Sequence, residues 1–153
     1  MREKYLPDNP HPNRKYKARM FEMIFNDKRE LLQLYNAMNG THYDDPELLI
    51  VNTLEHAVYM AMYNDISFII DLRLNLYEHQ STYSPNLSLR YLMYVTVLYS
   101  DLTKDKNLYG KTKIGIPTPE FIVFYNGNEE QPDIQKIRLS EMYTVQEAEP
   151  LWN

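Results

Sequence analysis

At 153 residues the chain fits one domain with room for a real core, and its 44% hydrophobic and 24% charged residues are ordinary for a globular protein. The absence of cysteine excludes disulfide scaffolds and thiolate metal sites, and points to the cytosol. A formal charge of −5 lacks the basic footprint of a tight non-specific DNA binder, but leaves room for an enzyme that meets nucleic acid through a metal and a local patch.

The N-terminus, MREKYLPDNPHPNRK, is polar and proline-rich, and no apolar run approaches the roughly 18 residues of a membrane span. It reads as neither a signal peptide nor an anchor. Residues 1–15 are expected to form an extended tail, residues 16–140 one domain, and residues 141–153 an acidic C-terminal tail or a truncated continuation. From Tyr16 the pattern is helical, with apolar groups at Met20, Phe21, Ile24 and Phe25, then at Leu31, Leu32, Leu34 and Tyr35. Asn26-Asp27 splits the run into two helices, with one of the pair capping the second, and Asn39-Gly40 ends it. Arg14, Lys15, Lys17 and Arg19 form either a solvated first turn or a phosphate contact.

Leu48 to Val51 is short and β-branched, so a strand is expected there. Thr53 to Met62 fits a helical stripe or a strand, with a strand favoured for its later half. A hairpin follows, then a connection over Ser81 to Pro85 and a long amphipathic helix over about 86–102. Its tyrosines, Tyr91, Tyr94 and Tyr99, suit core or interface better than a base-stacking platform. PEFIVFY, Pro119 to Tyr125, is the strongest buried-strand signal. Asn126-Gly127 is a two-residue turn signal, and Ile134 to Leu139 alternates as a last strand would. The order is helix, strands, hairpin, helix, strand, strand: an α/β arrangement with a mixed central sheet flanked by helices.

The hairpin, NDISFIIDLRLNLYEHQ from Asn64 to Gln80, carries polar groups where a strand prefers apolar ones. Glu78 and Gln80 share a face because side chains repeat every second residue. Asp65 joins them if opposed positions sum to an odd number, as when Ile70 pairs with Asn75 or Asp71 with Leu74. Both pairings put the loop around Leu72 and Arg73, and leave Asp65 within roughly 5–8 Å of Glu78 or Gln80. Two carboxylates that close repel unless a cation or a shared proton settles them. A hard divalent cation such as Mg²⁺ suits oxygen donors of this kind. The same acids also fit a plain solvated sheet face.

Asp65, followed after twelve residues by Glu78-His79-Gln80, resembles the core motif of the PD-(D/E)XK nuclease superfamily. The segments RMFEMIFNDKRELLQLYNAMNGTHY, LIVNTLEHAVYM, NDISFIIDLRLNLYEHQST, SPNLSLRYLMY and PTPEFIVFYNG look like blocks of the Rpn family of recombination-promoting nucleases and transposases. The resemblance spans about Tyr16 to Arg138. It implies a restriction-endonuclease-like core over residues 16–140 and Mg²⁺- or Mn²⁺-dependent DNA cleavage tied to recombination or mobile DNA. Asp65, Glu78 and the His79 main-chain carbonyl would hold the metal, and Gln80 would complete the catalytic set at the usual lysine position. Asn64 replaces the motif's proline, and Gln80 removes a charge that would assist phosphate or nucleophile.

Around this core, Glu55 is a candidate extra ligand or a surface acid. His56 and the His79 side chain are expected to be packed or exposed, with His79 pointing away from Glu78. Arg90 is a phosphate contact or the partner of a nearby acid. Ser81 and Thr82 are candidate phosphate contacts beside Lys17 and Arg19. Asp71 reads as a turn residue. Expected partners are DNA and a second copy of the chain, with no membrane. The competing reading is a nuclease-like fold without activity, serving as a binding or regulatory module.

Overall fold

The computed structural model describes residues 14–52 and 66–145, with the side chains of residues 14–18 and Glu22 excepted. The expectations for the N-terminal tail up to residue 13, for Thr53 to Met62, Glu55, His56 and Asp65, and for residues 146–153 lie outside the described residues.

Asp27 divides the first helical run as its chemistry requires. Helix α1 spans Arg14–Asn26 and α2 spans Lys28–Asn39. The Asp27 carboxylate accepts from the backbone N–H of Arg29 at 2.8 Å and of Glu30 at 3.4 Å, satisfying donors that the first turn leaves open. Gly40, at φ 65°, ends α2 in the left-handed conformation and donates its N–H to the Asn36 carbonyl.

Leu48 is not in a strand. Asp45 caps a 3₁₀ turn over Pro46–Leu48, and the strand β1 that follows is only Ile50–Val51. Proline at the first turn position and the aspartate bonded to the Glu47 N–H favour the turn over extension.

Strands β2, Ile66–Ile70, and β3, Arg73–Gln80, form the expected antiparallel hairpin. Opposed positions sum to an odd number, from Ile66↔Tyr77 to Ile70↔Arg73. The reversal lies one residue earlier than expected: Asp71 and Leu72 form the whole loop, and Arg73 belongs to the strand. Both loop residues have positive φ, 50° and 58°, the signature of a two-residue turn whose twist matches the strands it joins. Asp71 is thus a turn residue.

Helix α3, Leu87–Leu102, leads to strand β4, Thr118–Tyr125, which runs parallel to β3. The sheet order is β1-β2-β3-β4, an α/β arrangement with a mixed sheet. The interior position of β3 explains its sequence. Leu74 and Leu76 pack with Leu87, Tyr91, Tyr94, Val95 and Leu98 of α3. Tyr77 faces the other way and joins Phe68, Ile70 and the α1–α2 residues Phe25, Leu31, Leu32 and Tyr35. Side chains of this kind contribute roughly 1.5–3 kcal/mol each when fully buried.

Three expectations for the last third need correcting. The β4 strand is half-buried, because it is the sheet edge among the described residues. Residues 134–139 form no strand; Leu139 instead begins a 3₁₀ turn, Leu139–Met142, whose Met142 sulfur accepts from Ser88 Oγ on α3. Asn126-Gly127 makes no hairpin because the Asn126 N–H bonds the Gln80 carbonyl, carrying the chain on beside β3. Gly127 is pressed against the Tyr125 hydroxyl and the Ser81 carbonyl, leaving no room for a Cβ.

Candidate functional site

Glu78 and Gln80 project from β3 toward the α3 side, the face also occupied by Leu74 and Leu76. They are among the few buried polar residues, with Glu78 4% and Gln80 8% exposed. Gln80 Nε2 donates to Glu78 Oε1 at 2.7 Å. That leaves Gln80 Oε1 pointing elsewhere, buried and with no hydrogen-bond partner among the described residues. A buried acceptor left unmet is costly, so its presence beside a carboxylate is informative.

A cation for Glu78 comes from α3. Arg90 Nη2 donates to the same Oε1 at 2.6 Å, and the guanidinium also donates to the Tyr94 hydroxyl, at 3.2 Å from Nε and 2.9 Å from Nη2. One helical turn separates Arg90 from Tyr94, so the two meet on one face of α3, with the guanidinium carbon 5.7 Å from the ring centroid. Burial works against the Arg90 charge. The Tyr94 bonds and the attraction of Glu78 outweigh it and raise the arginine's pKa above its ordinary value.

Of the two readings of Arg90, the observed arrangement is pairing with an acid. The sequence signal for Tyr94 at this site is its four-residue spacing from Arg90. Tyr91 and Tyr94 are core residues, and Tyr99 donates its hydroxyl to the Pro117 carbonyl at 2.6 Å. The His79 ring points away from Glu78 and stacks on Phe21 of α1 at 4.4 Å. Its backbone lies in the β3–β4 pairing opposite Phe124.

The candidate phosphate contacts are dispersed. Arg19 is exposed on α1, whose Phe21 and Phe25 pack on the sheet face opposite α3, so it is not brought together with Arg90. Lys17 lies on the same helix. Ser81 and Thr82 are exposed just beyond β3. Beside Gln80 opens a cavity of about 420 Å³ bounded by Tyr83, Tyr125, Glu129 and Asp133. Its two carboxylates oppose a bare phosphate, so an anionic strand would need a cation to approach here.

Hard oxygen donors are what a magnesium site takes, commonly one or two carboxylates with waters and substrate oxygens completing the shell. The Glu78 carboxylate and the unmet Gln80 Oε1 fit that chemistry. Among the described residues there is no cluster of three or more His, Cys, Asp or Glu suited to a metal. Nor is any helix among them long and apolar enough to cross a membrane. Comparison with family models, with curated proteins and with solved structures gave no match.

Proposed function

We propose that this chain is a divalent-metal-dependent DNA endonuclease of the PD-(D/E)XK kind, working in the cytoplasm on recombining or mobile DNA. The observation that carries the reading is the buried Glu78–Gln80 pair on one face of β3, with an acceptor oxygen left unmet beside a carboxylate. The odd pairing parity of the hairpin and the mixed sheet also support it, together with the sequence blocks that resemble the Rpn family.

In this reading Glu78 and Asp65 hold Mg²⁺ or Mn²⁺, with the His79 carbonyl as a further donor and Glu55 as an additional one. A metal held there would supply a Lewis acid able to polarise a phosphoryl oxygen and lower the pKa of a bound water. The chain's own residues position the reactants. Gln80 fixes the rotamer of Glu78 through its Nε2 bond, and its Oε1 can accept a hydrogen bond from a water. Strand β3, paired with β2 up to Tyr77 and with β4 as far as Gln80, keeps both groups in place. Arg90, Ser81, Lys17 and Arg19 are the contacts assigned to DNA, and a homodimer, read out by solution mass, belongs to the same proposal.

The test is nicking of supercoiled plasmid in Mg²⁺ or Mn²⁺ by the wild type, Asp65→Asn and Glu78→Gln, with folding followed by circular dichroism. Metal-dependent nicking is expected from the wild type, with a loss of about 10²-fold or more in either folded variant. A specific observation favours the second reading, a nuclease-like module without activity: Glu78 already has a cationic partner in Arg90. Folded wild type that neither binds Mn²⁺ nor nicks DNA selects that reading.

A further inference from the structure

The carboxylate assigned to the metal is already paired with a positive charge. Arg90 Nη2 and Gln80 Nε2 both donate to Glu78 Oε1, at 2.6 and 2.7 Å. A divalent ion entering at this carboxylate would sit within a few ångströms of the guanidinium, and cations that close repel strongly away from bulk water. One of the two must give way.

The geometry decides which. Glu78 is fixed on the interior strand, opposite Val123 of β4 and next to Tyr77, the last β3 residue paired with β2, and its side chain is 6% exposed. Arg90 lies in the first turn of α3 with a side chain 35% exposed, held by Glu78 and by the Tyr94 hydroxyl. A long, flexible side chain open to water on one flank can swing out; a short one locked in a sheet cannot.

We infer that Arg90 is an exchangeable counter-ion: it neutralises the buried Glu78 carboxylate in the metal-free protein and releases it when a divalent cation binds. The inference rests on the reading of Glu78 as a metal ligand and goes beyond it by naming what the metal displaces. It explains how a buried acid is tolerated in the folded chain without metal, since an unpaired buried charge is costly. It also makes metal affinity a balance between the ion's attraction for Glu78 and that of Arg90.

Calorimetric titration of Mn²⁺ into the full chain tests it, with Arg90→Met, Arg90→Lys, Tyr94→Phe and Glu78→Gln as variants. Arg90→Met removes the competing cation and is expected to bind Mn²⁺ about tenfold more tightly. Arg90→Lys keeps the charge and should stay near wild type. Tyr94→Phe keeps the arginine but removes the hydroxyl that anchors it, and should tighten binding by about threefold; this variant carries the test if Arg90→Met does not fold. Glu78→Gln should abolish the signal, locating it at this carboxylate. Equal or weaker affinity in both Arg90→Met and Tyr94→Phe, with Mn²⁺ still bound through Glu78, overturns the exchange and leaves the metal reading standing. No Mn²⁺ binding in the wild type or any variant, or binding that survives Glu78→Gln, overturns both.

Discussion

Arg90 Nη2 and Glu78 Oε1 lie 2.6 Å apart, joining the first turn of α3 to the central strand β3. The pair is asymmetric: the carboxylate is 6% exposed and the guanidinium side 35%. Removing the arginine takes a cation away from a buried acid, whereas removing the acid frees an arginine that can turn to water. Breaking a fully buried pair from one side costs about 3–5 kcal/mol, and partial exposure of Arg90 reduces this. Arg90→Ala is therefore expected to destabilise by about 2 kcal/mol in urea unfolding, clearly more than Arg73→Ala, whose pairing with Glu120 is open to solvent. In a Glu78→Gln background the cost of Arg90→Ala should shrink by half or more. An unchanged cost would mean that Arg90 acts on stability through Tyr94 and packing alone.

The hairpin turn is strained at one position. Leu72 adopts φ 58° with its side chain 83% exposed, so it bears the left-handed penalty without the compensation of burial. That penalty is about 1–2 kcal/mol for a residue with a Cβ, while glycine loses about 0.5–1 kcal/mol more backbone entropy on folding. Leu72→Gly should therefore stabilise the protein by about 0.5–1 kcal/mol. Thermal unfolding reads the change, and a lower midpoint for the variant would refute the strain argument.

What could be read from the sequence was whatever local chemistry decides. The Asp27 cap, the Gly40 stop, the period-two pattern of β3 and the long apolar stripe of α3 all rest on residues within a turn or two of one another. The parity of the hairpin was only a condition, an even-length loop, which the observed two-residue turn meets. The parallel placement of β4 against β3 was not, since PEFIVFY looks the same at a sheet centre and at an edge. Asn126-Gly127 carries a strong hairpin signal, yet the Asn126 N–H finds the Gln80 carbonyl, a partner 46 positions back along the chain. At the site, alternation placed Glu78 and Gln80 on one face. That Arg90 reaches Glu78 depends on how α3 packs over Leu74 and Leu76, which no spacing along the chain reveals.

The same neighbourhood makes Gly127 irreplaceable in this backbone. A Cβ there would collide with the Tyr125 hydroxyl and the Ser81 carbonyl, and Tyr125 is held by the Glu129 N–H at 3.1 Å. Overpacking of this kind costs about 1–3 kcal/mol. Gly127→Ala is expected to lower stability by that amount and to open the cavity beside Gln80. Gly115→Ala, where a Cβ meets nothing within 4 Å, is the control expected to change little.

Alkaline pH should weaken the fold through its buried phenols. Burial raises the pKa of Tyr77 well above the ordinary 10.0, a contact from Asn39 opposing it only in part; burial likewise raises Tyr35 and Tyr99. In the unfolded chain these phenols lose their protons near pH 10, while in the folded chain they keep them. The unfolded state then binds fewer protons, so unfolding free energy falls as pH rises. Below the unfolded pKa both states are protonated and this source of pH dependence vanishes. Denaturant midpoints should thus be insensitive to these groups between pH 7 and about 9, and should fall from about pH 10 upward, by at most about 1.4 kcal/mol per pH unit for each phenol. Tyr77 is fully buried and has the largest displacement, so Tyr77→Phe should flatten the fall more than Tyr99→Phe does. Parallel curves for wild type and Tyr77→Phe across pH 9 to 11.5 would show that Tyr77 ionises alike in both states.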